Sequence, residues 1–436
     1  MDSRPRVGRM HDARFVPHVD DSYPAARRDG QDFVEMVAHQ REEGVDPQLH
    51  RGLDEQFGSG WHRTVILAGR ARELRSLGPI DNRFAGFQPA LRWVIAYQRD
   101  GCRAYNQLVD SRRILVTGGA GYIGSHTVRL LLEQGHDVTV VDNLSKGYRN
   151  NVPAGRLCKL DAADTAALAE LMRQRRTEAV VHFAAFIAVG ESMREPERYF
   201  ANNVGGSLSL LSAMVQTGVK HIVFSSTAAV YGDPPCSPIP ESAPIRAVNP
   251  YGESKVMVET LLRWFDQIHH LTSVSLRYFN ACGADPGGQL GEEHEPETHL
   301  VPLLLRAVLT GEPIMVFGND YDTADGTCVR DYIHVTDLAE AHILALEYLL
   351  NGGASEQFNV GTGSGRTVME MIRAVEEVTG RKVPYVIGPR RQGDAPSLVA
   401  SSEKLRSKLS WLPRYTDLQT IVSHAWNFAS KRRGGC

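Results

Sequence analysis

Ile114-Leu115-Val116-Thr117-Gly118-Gly119-Ala120-Gly121-Tyr122-Ile123-Gly124-Ser125-His126 is the stretch on which the fold turns. Three apolar β-branched or leucine residues read as a short buried strand, the glycines as a tight turn, and the amphipathic run Ser125–Gln134, stopped by Gly135, as a helix. Gly118, Gly121 and Gly124 recur every third residue, and Gly119, Gly121 and Gly124 make a G-x-G-x-x-G, all between strand and helix. In that setting the backbone can approach a pyrophosphate closely, and the helix start offers it free N–H groups and a positive dipole end. Tyr122 and Ile123 belong to the same turn. A second strand, His136–Val141, runs into Asp142, eighteen residues after Gly124. A carboxylate at about that spacing accepts the ribose hydroxyls of NAD and repels the extra phosphate of NADP. NAD is therefore the expected cofactor, with Asn143 beside Asp142 as a further candidate contact.

The same rhythm continues outward. Apolar runs recur at Ala179–Phe183, His221–Phe224 and Val274–Leu276, separated by helical patterns at Thr165–Gln174, Asn203–Thr217 and Tyr251–His269. Strands alternating with helices predict an α/β fold with a doubly wound parallel sheet of the Rossmann type. After Asn280 the pattern breaks into Gly, Pro and acidic loops. The expected division is thus a cofactor domain over 111–280 and a second, smaller α/β substrate domain over 281–436. Residues 1–110 carry scattered charge and no persistent periodicity apart from a helical pattern near Gln31–Glu43, and read as a poorly ordered extension without chemistry.

A chain of 436 residues, 42% hydrophobic, has room for two cores. The formal charge of -3, from 48 basic and 51 acidic residues, gives no basic field for nucleic acid or an anionic membrane. No apolar run reaches the roughly 18 residues of a membrane span. Six scattered cysteines, Cys102, Cys158, Cys236, Cys282, Cys328 and Cys436, suit free thiols in a reducing cytoplasm.

The candidate catalytic group is Tyr251-Gly252-Glu253-Ser254-Lys255, which follows Asn249-Pro250, a natural helix start. Tyr251 and Lys255 then stand one turn apart on one face. A free tyrosine, with pKa about 10, is a poor base, and a neighbouring ammonium together with a positive nicotinamide favours its phenolate. Ser225-Ser226-Thr227 ends a strand at the edge where doubly wound sheets bind ligands, so Thr227 is placed to hold the reacting oxygen.

With these residues the chain from about 112 to 430 resembles the UDP-glucose 4-epimerase family. The resemblance runs through VTGGAGYIGSH, VGES, NNVGGS, FSSTAAVYG, NPYGESK, LRYFNACGADP, VFGNDYDTADGTCVRDYIHVTDLA and PRRQGD. It implies NAD-dependent 4-epimerisation of a UDP-sugar through a 4-keto intermediate, UDP-glucose and UDP-galactose leading, and with it a place in galactose metabolism. It also implies Asp161 near the adenine, Asn202 near a diphosphate, and Asn280, His299, Phe317, Arg330, Arg391 and Asp394 around the UDP moiety. Leu398 resembles the family's gatekeeper beside the sugar's 2-substituent, where a small side chain admits an N-acetyl group. A homodimer through a four-helix contact is implied as well. Two departures stand out: Ile187 where many members place a lysine, and His299 where some have asparagine. A UDP-pentose substrate stays open as the alternative. A 4,6-dehydratase is disfavoured because Ala228 and Ala229 follow Thr227 and cannot transfer protons. A non-catalytic NAD sensor would need neither Tyr251 nor Lys255.

No metal is expected. Glu292, His294, Glu297 and His299 match no zinc spacing, Pro296 interrupts any helix that would align them, and the segment reads as a polar substrate loop. Asp320, Asp322 and Asp325 depart from a calcium loop, with Ala324 at the fifth position and Gly326 one place late.

Overall fold

The computed structural model describes residues 111–391 and 394–433. The segment before residue 111, with its helical pattern near 31–43, lies outside the described residues, as do Gln392 and Gly393.

The opening stretch folds as its pattern predicts: strand β1 (Arg113–Thr117), a glycine turn, then helix α1 (Tyr122–Glu133). Strands β2 (Asp137–Asp142), β3 (Leu157–Lys159), β4 (Ala179–His182) and β5 (His221–Thr227) follow, with helices α2 (Thr165–Arg175) and α3 (Gly206–Thr217) between them. The long helix α4 (Pro250–His269) leads into β6 (Thr272–Tyr278). Asn249 caps α4 by accepting from Gly252 N, with Pro250 at the first helical position. His270 ends the helix in the left-handed region. Nearly continuous burial along β1, β2, β4 and β5 follows from helices covering both faces of a parallel sheet.

The chain continues through β7 (Asn280–Cys282), α5 (Leu300–Thr310), β8 (Ile314–Phe317), β9 (Val329–His334), α6 (Val335–Leu350), β10 (Glu356–Val360), β11 (Gly365–Thr367), α7 (Val368–Thr379), β12 (Tyr385–Gly388), β13 (Ser397–Leu398), a short helix at Glu403–Leu409, and α8 (Leu418–Arg433). The main sheet runs β10-β6-β5-β4-β1-β2-β3, every pair parallel. The strand order reverses between β1 and β4. At their carboxyl ends a crevice opens for a ligand.

The boundary expected at residue 280 follows the sheet only in part. β10 pairs with β6 from Glu356↔Val274 to Val360↔Tyr278, and α6 packs on α1 and the central strands. The chain therefore returns from the second lobe to complete the first. A break in periodicity after Asn280 cannot reveal that return, because strand pairing is nonlocal. The second lobe is built on β9, flanked by β11, β13 and β7, with β8 and β12 paired beside it. Helices α5, α7 and α8 close over it around Leu304, Met371, Val375, Ile421 and Val422.

Candidate active site

Gly118, at φ +71°, turns the chain at the end of β1, and a Cβ there would stand 2.5 Å from Ala184 N beyond β4. A Cβ on Gly124 would stand 2.3 Å from Gly118 O. Only glycine permits this packing of turn, helix and neighbouring strand. Gly121 caps α1 with no side-chain hydrogen bond, so the first-turn amides stay uncommitted to any side chain. This is the cradle a pyrophosphate needs. Asp142 is buried, accepting from Ala120 N at 3.0 Å and Leu144 N at 2.8 Å. Burial raises its pKa and these hydrogen bonds oppose the rise. A carboxylate has about four acceptor sites, so two amides leave capacity for ribose hydroxyls. Asn143 donates to Asp161 at 3.0 Å, which joins those two candidates at one end of the crevice. The donor set and the side-chain-free turn fit NAD.

Tyr122 offers the cradle only its backbone. Its side chain turns away from the cradle, buried, with its hydroxyl donating to Gly283 O at 2.8 Å. Its backbone amide is what remains for a cofactor. Ile123 is half-buried against the main core.

Tyr251 stands on the first turn of α4, 9% exposed, and Lys255 one turn on, 2% exposed. Lys255 Nζ donates to Ser225 O at 2.8 Å and lies 5.9 Å from the centre of the Tyr251 ring. Burial lowers Lys255 to about 7, against the pull of Glu259. Burial raises Tyr251, and a hydrogen bond from Thr227 offsets part of the rise. Burial alone therefore disfavours the phenolate, and the expected activation draws on the nicotinamide charge as well as on Lys255. Desolvation disfavours the charged form of both groups, so activation calls for further positive charge in the crevice.

Sequence reading missed Asn203. It is buried on a π-helical segment, Phe200–Gly205, and its amide grips the loop after β4 at both ends of one residue. It accepts from Phe186 N at 2.8 Å and donates to Phe186 O at 3.1 Å and Ser254 Oγ at 3.0 Å. Ser254 lies between Tyr251 and Lys255, so Asn203 fixes the catalytic helix against that loop. Asn202, half-buried next to it, donates to Asn203 Oδ1. The doublet was visible in the sequence; which asparagine faces inward depends on the local π turn. Also unforeseen is a buried chain in which His182 joins Thr117 at 2.6 Å and Ser207 at 2.9 Å. Burial and Lys255 lower His182 to about 3, so the ring is neutral. The Tyr278 hydroxyl bonds Ser225.

The candidates from the second lobe fall into two groups. Arg391 stacks on Phe317 with its guanidinium carbon 4.3 Å from the ring centre. Arg330 donates to Ala395 O at 2.9 Å and pairs with Asp394 at 3.6 Å, while Leu398 sits opposite it in the β9–β13 register. Leu398 packs on the cluster holding Ala228 and Phe279, just past the end of β5. Asn280 is exposed at the start of β7, and Ile187 is 39% exposed on the loop after β4. His299 instead joins Glu292, 2.8 Å away, and Glu297. Burial lowers it, yet the two carboxylates outweigh this and push it up to about 10.

Residues 114–361 match the model of the NAD dependent epimerase/dehydratase family. The chain is 51% identical over 317 residues to a UDP-glucose 4-epimerase of Lacticaseibacillus casei, covering 72% of this chain and 96% of that protein. The crystal structure of UDP-glucose 4-epimerase from Brucella ovis in complex with NAD superposes with a TM-score of 0.71 at 45% identity, over 73% of this chain and 98% of that one. The UDP-Glc/GlcNAc 4-epimerase of Campylobacter jejuni superposes at 0.65 with 39% identity, over 74% of this chain and all of that one.

Proposed function

The chain belongs to the NAD dependent epimerase/dehydratase family, and on that premise we propose that it is a UDP-glucose 4-epimerase, inverting C4 of a UDP-hexose with NAD as cofactor. One observation carries the reading: Tyr251, Lys255 and Thr227 meet at the carboxyl edge of the sheet, beside the glycine turn and the strand-order reversal. Tyr251 takes the proton of the sugar 4-hydroxyl and later returns it, with Thr227 holding the same oxygen. Lys255, anchored on Ser225 O, keeps the tyrosine in register and supplies positive charge when protonated. The glycine turn and Asp142 would hold NAD, which would supply a reversible hydride acceptor at the sugar C4. The sugar becomes a ketone between the two transfers, so no net oxidation results.

Arg330, Arg391 and Asp394 with Phe317 form the nucleotide end of the pocket, planar guanidinium groups suiting phosphate and the aromatic face suiting uracil. Ala228 and Ala229 after Thr227 supply no second acid or base, which disfavours dehydration. Leu398 beside the Ala228 cluster supports a wider specificity that includes the N-acetylated sugars. Met257, Trp264 and Ile268 form an exposed apolar stripe at helical spacing on α4, with Leu208 exposed on α3. A second copy of the chain would cover that stripe, and a homodimer is the assembly proposed. The four described cysteines are free, as suits work in the cytoplasm on sugars of galactose metabolism. Incubating purified protein with UDP-galactose and following UDP-glucose tests the reading. Protein that carries NAD and yields neither UDP-glucose nor any other 4-epimer refutes it.

A further inference from the structure

We propose that Glu292, His294, Glu297 and His299 form a binding site for one divalent transition cation of the zinc class. Sequence spacing argued against a metal here, but the four donors converge in space, with their ligand atoms all within 4.8 Å of one another. Individual edges are tighter. His299 Nδ1 lies 2.8 Å from Glu292 and 3.5 Å from Glu297, and His294 Nδ1 lies 3.5 Å from Glu297 and 3.7 Å from Glu292. A tetrahedral ion with bonds of about 2.0–2.2 Å has edges of about 3.4 Å, close to the observed set. The irregular loop achieves what a helix interrupted by Pro296 could not.

Two further observations point to a ligand. Both Nδ1 atoms are sealed from solvent, and neither has a hydrogen-bond partner of acceptable geometry despite the nearby oxygens. In addition, the Glu292 and Glu297 side chains are only 5% and 11% exposed, and among the described residues the ion pairs they make are with these two histidines. Among the described residues neither carboxylate has an Arg or Lys partner, and a divalent ion would neutralise both at once. Glu297 is fixed in place by Thr298 N at 2.7 Å and His299 N at 2.8 Å. His294 packs edge-on to Tyr122, at 6.4 Å between ring centres, so the ion would clamp this loop against the first turn of α1. Mixed imidazole and carboxylate donors select zinc or cobalt over magnesium or calcium. The site assigns His299 to the cation instead of to the nucleotide, and it does not depend on the epimerase reading.

Full-length protein dialysed against a chelator is titrated with Zn²⁺ by calorimetry and with Co²⁺ by visible absorption. One ion per chain, tetrahedral cobalt bands and a melting temperature that rises with occupancy are expected. His294→Gln and Glu297→Gln each weaken binding by more than the roughly 10–100-fold that loss of an outer partner costs. Circular dichroism of each variant checks folding, and Glu297→Gln, nearly isosteric, serves where His294→Gln fails to fold. Absence of stoichiometric binding by the wild type, or binding unchanged in a folded Glu297→Gln protein, overturns the proposal.

Discussion

Replacing Tyr251 by phenylalanine removes one oxygen and nothing else. The ring is 9% exposed at the start of α4, and phenylalanine keeps its volume and helical position. The loss to folding is the hydrogen bond with Thr227, about 1 kcal/mol, or a few degrees of melting temperature. The loss to chemistry is much larger. Lys255 Nζ is committed to Ser225 O and lies 5.9 Å from the ring centre, and the Tyr278 hydroxyl is committed to Ser225. Thr227 holds the same oxygen, but a neutral hydroxyl is a far weaker base than a phenolate and does not take over the proton. The whole of the general acid-base contribution therefore disappears, about 10²–10⁴-fold, equivalent to about 2.7–5.4 kcal/mol of barrier. Conversion of UDP-galactose to UDP-glucose gives kcat, the absorbance of released cofactor gives NAD content, and thermal unfolding gives stability. A folded, NAD-replete Tyr251→Phe protein with kcat within tenfold of wild type would refute the assignment.

Leu398→Tyr should lower kcat/KM for UDP-N-acetylglucosamine by about 10–200-fold while sparing UDP-galactose, since a misfit in a packed pocket costs about 1–3 kcal/mol; wild type inactive on the N-acetyl sugar contradicts the idea. A chain starting at Val109 should keep fold and turnover, because every site residue lies at or after Gly118, and loss of soluble protein would count against this. Stability should decline as pH falls below about 6.5. Burial lowers His126 and His342 to about 4 and His182 and His334 to about 3, so the unfolded chain binds protons that the folded chain refuses. At pH 5 each contributes about 2 kcal/mol of loss, and His342→Leu should show a measurably shallower decline in melting temperature between pH 6.5 and 4.

The sequence by itself determined whatever rests on local periodicity and short spacing. The apolar triplet before the glycines, the carboxylate after the second strand, and the Asn249-Pro250 start that sets Tyr251 and Lys255 on one face were all readable, because each depends on a few neighbouring residues. Tertiary structure decided what depends on distance across the chain. β10 returns from beyond residue 280 to pair with β6, and no periodicity could announce that pairing. Asn203, and not its neighbour Asn202, is the one buried on the π-helical segment, which a doublet in the sequence does not reveal. Tyr122 swings to Gly283, 161 residues away, and leaves the cofactor only its amide. The protonation of Tyr251 and Lys255 depends on burial, which only packing creates and which raises the one and lowers the other. Glu292, His294, Glu297 and His299 looked unsuited to a metal by spacing, yet an irregular loop gathers them, since coordination is a matter of position in space and not of register along a helix.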